Sequence, residues 1–168
     1  MGALKKQNKT ASEGGTRVDK LELMRLVVTL YASMPMVSDY RIPDALPEIH
    51  IMPKSVLQDL VCSAPCHIRA IYHPDFGLLI DETLDVAGNV YDRSIVFHEL
   101  VHHAQHVNAK FAELHTVCER RAASEQEGYG LQNRYLSMNG ASEPVTTLNW
   151  NRLCARQQRE ERSTLSMD

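Results

Sequence analysis

No stretch of the chain approaches the roughly 20 consecutive apolar residues of a membrane-spanning helix. Basic charge is not in excess either. Eighteen Lys and Arg stand against 21 Asp and Glu, a formal net charge of −3. Nucleic-acid binding is driven largely by cationic side chains neutralising phosphates, so this balance argues against such a partner. Cysteine is scarce, and Cys62, Cys66, Cys118 and Cys154 do not form the paired C-x-x-C units of a zinc ribbon. Cys62 and Cys66 could close a small loop around Pro65, and Cys118 could pair with Cys154. Free buried thiols fit the sequence equally well. Residues 1–16 lack the apolar core of a signal peptide. The location expected from the sequence as written is cytoplasmic, or periplasmic or secreted if an export signal lies outside it. Internal repeats are absent, and 168 residues suffice for one domain with a real core but not for two of ordinary size.

Hydrophobic content of 43% and charged content of 23% read as a soluble globular chain. Residues 1–16 are polar and Gly-containing and are expected to be a disordered arm, leaving 17–165 as a single domain. Helical spacing over 18–34, with Asp19 as cap, predicts a packing helix through Leu21, Leu23, Val27 and Leu30 that Pro35 ends. Residues 48–52 alternate as a short strand, and Pro53 suits the first position of a helix through Val56, Leu57 and Leu60. Residues 67–72 and 78–80 read as two strands of a hairpin about His73-Pro74-Asp75-Phe76-Gly77. A helix over 91–108 is predicted with Asp92 as N-cap, a longer one over 112–138, and a final segment over 147–163 that includes Trp150.

Eight histidines is a high count, and four of them lie between His98 and His106. They include His98-Glu99-Leu100-Val101-His102, the H-E-x-x-H pattern of zinc peptidases. Residues four apart share a helix face, so His98 and His102 can offer two imidazole nitrogens to one ion. Glu99 lies about 100° round the helix, where it can reach a water on the metal without binding the metal. A catalytic zinc needs a third protein ligand and an open position.

Where that ligand is a glutamate, it comes from the helix after the motif helix. The candidates are Glu113, Glu119, Glu125 and Glu127. Cys118, Ala122, Glu125, Tyr129, Gln132 and Leu136 form one continuous helical stripe, with small Gly128 at its edge. A carboxylate on such a face is poorly placed without a cation. Glu125 therefore ranks first. Glu127 ranks second, because a solvated ion pair near Arg120 and Arg134 explains it more simply. Tyr129 shares Glu125's stripe and is the preferred candidate to support the oxyanion of a hydrolytic reaction, ahead of His103, His106 and Tyr135. His103 is expected to turn away from the metal, and His106 to line the cleft.

His98-Glu99-x-x-His102 followed by Glu125-x-x-Gly128-Tyr129 resembles the small bacterial gluzincin-type metallopeptidases. More narrowly, residues 60–137 resemble a group of short, largely uncharacterised bacterial proteins of that kind. The resemblance implies an α+β, minimal zincin-like fold: about three strands, the motif helix beneath them and a glutamate-donating helix across it. It also implies one Zn²⁺ held by His98, His102 and Glu125, with Glu99 as general base. Gly128 stands where Ala is usual, and Tyr129 where larger gluzincins carry an Asp that orients a ligand histidine. Gln105 or Gln132 is expected to take over that orienting role. The function expected is zinc-dependent hydrolysis of a peptide or protein substrate. The alternative is a non-catalytic zinc-binding regulatory or interaction module on the same fold.

Overall fold

The computed structural model describes residues 20–62, 66–146, 149, 152 and 154–156. The expected arm over 1–16, the Asp19 cap, and Leu148, Trp150 and Leu153 of the final segment lie outside the described residues. Helix α1 (Lys20–Ser33) buries Leu23, Val27, Leu30 and Tyr31 on one face. Leu21, expected on that face, is instead exposed. Pro35 sits in a single 3₁₀ turn, Met34–Met36, where its missing N–H costs no α-helical bond.

The sheet has three strands in the order β1–β3–β2. Strand β1 (Ile49–Met52) pairs parallel with β3 (Gly77–Asp81), and β2 (Ala70–His73) pairs antiparallel with β3, so the expected hairpin forms. Strand β2 begins at Ala70 rather than at His67. Its partner ends at Asp81, whose amide donates to the Arg69 carbonyl at 2.9 Å, and nothing beyond is left to pair with His67 and Ile68. Gly77 has φ +78°, and a Cβ there would lie 2.3 Å from the Glu48 carbonyl oxygen. That carbonyl accepts the Leu78 amide at 2.7 Å, so only glycine lets β1 and β3 close up at this end.

Strand β3 is buried along its whole length. Leu78 and Ile80 join the main core with Val96, Phe97, Leu100 and Val101. Leu79 alternates to the other face, and helix α2 (Lys54–Val61), with its buried Leu57, packs on β3. Pro53 caps α2 rather than opening its first turn.

Helix α3 (Val90–Val107) is capped by Asn89, whose side chain accepts from the Tyr91 and Asp92 amides at 2.9 and 3.3 Å. Asp92, expected as the cap, is in the first turn. It binds Arg69 at 2.5 Å and accepts the Asp85 amide at 2.8 Å, tying the entry to β2 onto the helix. Helix α4 (Val117–Met138) starts later than expected, after turns containing Ala109 (φ 49°) and Phe111 (φ 64°). Thr116 and Glu119 form a capping box that sets its first residue. Cys62 bonds to Cys66 and Cys118 to Cys154, the second bridge joining the first turn of α4 to the C-terminal segment. Among the described residues no helix is long and apolar enough to cross a membrane.

Candidate metal centre

Helices α3 and α4 pack against each other, and Gly128 faces the imidazoles of His98 and His102. A Cβ on Gly128 would lie 2.9 Å from His98 Cε1 and 3.4 Å from His102 Cε1. The glycine therefore lets the α4 backbone rest directly on the two imidazoles. Glu125 lies three residues, nearly one turn, earlier, and its carboxylate reaches over the same pair. His98 Nε2 and His102 Nε2 are 2.9 Å apart, and Glu125 Oε2 lies 3.4 Å from the first and 3.8 Å from the second. These three side chains form a group that could hold a metal ion.

The other glutamates considered for this place are engaged elsewhere. Glu113 is exposed in the turn before α4, and Glu119 closes the capping box. Glu127 faces away from the imidazoles. It accepts from the Tyr40 hydroxyl and from Gln105 Nε2 at 3.0 Å, and pairs with Lys110 at 3.9 Å. The expected partners Arg120 and Arg134 donate instead to the carbonyls of Leu114 and Val37.

Charge within the group is strongly coupled. Burial pushes Glu125 up, but its hydrogen bonds to His102 and His98 and their charges outweigh it and hold the carboxyl down at about 2. Burial pulls His102 down, yet Glu125 and Glu99 outweigh that and raise it to about 9. Glu99 is buried beside the pair without joining the triangle. Burial raises its pKa, against the lowering effect of His102, His98 and the Tyr72 amide. That amide donates to Glu99 Oε2 at 2.8 Å. Tyr72 lies on β2, an edge strand. Its N–H points away from β3, because in this antiparallel pair it is Arg69 and Ile71 that face the partner.

An open cleft of about 1810 Å³ runs past the group, lined by His98, Glu99, His102, Glu125 and Tyr129 and by β2. The Tyr129 ring lies against His98 with centroids 4.5 Å apart, and burial, then Glu125 and Glu99, raise its hydroxyl pKa. His106 also lines the cleft, hydrogen-bonded to the Tyr72 hydroxyl at 2.7 Å. His103 points away from the cleft and meets the Tyr31 hydroxyl. Tyr135 is not at the site at all: it stacks on Phe97 in the core, centroids 4.6 Å apart.

A family model described as a domain of unknown function, DUF6647, matches residues 20–163. The chain belongs to this family. No curated protein and no solved structure matches it.

In this DUF6647 domain the two histidines of the group are held differently. His102 Nδ1 lies 2.8 Å from Gln105 Oε1 and 2.9 Å from Ser124 Oγ. Gln105 thus occupies the place expected for an orienting residue. Gln132 does not: it donates to Ser94 Oγ at 2.9 Å. His98 Nδ1 is buried without a hydrogen-bond partner among the described residues, and the ring is fixed by Gly128 and Tyr129. Ser124 was not singled out by the sequence reading. Its only signal is its place directly before Glu125.

Proposed function

We propose that this domain is a zinc-dependent metallopeptidase of the gluzincin type, with a minimal zincin-like arrangement of sheet and helices. The observation that carries the reading is the convergence of His98 Nε2, His102 Nε2 and Glu125 Oε2 at an open cleft, with Glu99 buried alongside. In a tetrahedral zinc site with bonds of about 2.0–2.1 Å, neighbouring donor atoms lie about 3.3 Å apart. The separations of 2.9, 3.4 and 3.8 Å bracket that value. Two imidazoles and a carboxylate are also the donor set of hydrolytic zinc sites.

Zinc in this position would supply Lewis acidity and make water a nucleophile at neutral pH. Glu99 takes the proton of the attacking water and passes it to the leaving nitrogen. Its raised pKa suits both halves of that transfer. The Tyr129 ring lies against His98, and its hydroxyl is the candidate donor to the oxyanion. The outward groups of Ala70 and the Tyr72 carbonyl on β2 offer an extended peptide an edge to pair with, the Tyr72 amide being held by Glu99. The test is Glu99→Gln. Zinc content measured by elemental analysis should stay at that of the wild type, while hydrolysis of a peptide library falls by about 10²–10⁴-fold. Retained hydrolysis in the variant refutes the assignment of the base. A zinc-loaded wild type that cleaves nothing refutes the peptidase.

A further inference from the structure

The Gln105 side chain lies between the metal centre and a group of residues on the opposite side of α3 and α4. It is buried, so water cannot satisfy its amide. Its Nε2 faces the Ser124 carbonyl at 3.1 Å and Glu127 Oε2 at 3.0 Å. Both are acceptors only. Its Oε1 receives the Ser124 hydroxyl at 2.6 Å and faces His102 Nδ1 at 2.8 Å. An inverted amide would set oxygen against two oxygens, so the Glu127 carboxylate and the Ser124 carbonyl decide its orientation. With Oε1 at His102 Nδ1, that nitrogen must carry a proton, because the other tautomer would oppose two lone pairs. A proton on Nδ1 of the neutral ring leaves the Nε2 lone pair free toward His98 and Glu125. Glu127 is itself anchored from outside by Tyr40 and Lys110.

We propose that Glu127 is a positioning residue that sets the tautomer of His102 through the Gln105 amide, and thereby presents Nε2 as the ligating atom. It acts from behind the site and touches neither the metal position nor the cleft's catalytic groups. The proposal rests on reading His98, His102 and Glu125 as metal ligands. The tautomer itself belongs to the metal-free protein and is measurable there.

The variant is Glu127→Gln, which keeps the shape but can donate as well as accept, so only the Ser124 carbonyl still opposes inversion of the Gln105 amide. Nitrogen-15 NMR of the metal-free protein, recorded on the alkaline side where the imidazole signals no longer change with pH, reads the tautomer. Zinc affinity is measured separately by competition with a chelating dye. The expected result is a shift of His102 away from Nδ1–H and a zinc affinity about tenfold weaker. Lys110→Ala removes a neighbouring charge but leaves the Gln105–Glu127 bond, and should change neither. An unaltered tautomer in Glu127→Gln overturns the proposal. So does a loss in Lys110→Ala as large as that in Glu127→Gln, which would make the effect one of local charge alone. If the wild type binds no zinc, the metal reading fails, and the tautomer still decides this inference.

Discussion

His102 and Glu125 hold opposite charges in the metal-free protein, and that fixes how pH enters metal binding. A ligand imidazole must be neutral, whereas His102 titrates near 9. A metal bound at pH 7 would therefore displace a proton from His102. Glu125, held at about 2, is already ionised and releases none. The expected slope is about a tenfold gain in affinity per pH unit between 7 and 9 from this residue, flattening above. Calorimetry in buffers of different ionisation enthalpy counts the released proton. A pH-independent affinity across that window contradicts the coupling. His98 and His102 were legible as a pair in the sequence because four-residue spacing on a helix gives them a common face, with Glu99 about 100° round beside them. Glu125 was legible because a carboxylate on a stripe of small and apolar residues needs a cation. The role of Glu127 was not, since its partners Tyr40 and Lys110 come from distant segments that no local pattern brings together.

At the scale of elements, two helices meet where a side chain would keep them apart. Position 128 is glycine, and the Cβ of an alanine there would come within 2.9 Å of the His98 ring. The ring can shift to admit it, but only by moving Nε2 out of the triangle. Gly128→Ala should therefore weaken zinc binding by about tenfold or more. Metal-free stability should stay level or rise, because alanine favours a helix interior over glycine by about 1 kcal/mol. Gly130→Ala is the control. No atom lies within 4 Å of a Cβ there, so it should stabilise without changing affinity. Equal effects of the two substitutions on affinity would refute the close-approach argument. Helix and strand positions were readable from periodicity, whereas helix starts were not. Asn89 rather than Asp92 caps α3, and Thr116 with Glu119 delays α4 beyond residue 112. Several side chains near each start were chemically able to cap, and tertiary partners decided among them: Arg69 claims Asp92.

For the molecule as a whole, the site couples two helices that are otherwise joined by turns, by apolar packing and by the buried Gln105 and Gln132 hydrogen bonds. Both α1 and the sheet pack on α3, while α4 is fastened to α3 at the core through Leu131 and Tyr135 and is tied at its start to the C-terminal segment by the Cys118–Cys154 bridge. The donor triangle lies between these two fastenings, so an ion shared by His98, His102 and Glu125 would cross-link native α3 to native α4 and find no such site in the unfolded chain. Binding to the native state alone stabilises by RT ln(1 + [L]/Kd), about 2.7 kcal/mol at a hundredfold excess over Kd. In a domain of this size that corresponds to a rise in Tm of about 5–10 °C. Thermal unfolding followed by circular dichroism, with zinc and then with excess chelator, measures it. Glu125→Gln should abolish most of the shift, because a neutral amide is a poor third ligand, while Glu99→Gln should retain it. A zinc-induced shift that survives Glu125→Gln would place the ion elsewhere on the protein, and the reading of α4 as the donor helix would fall with it.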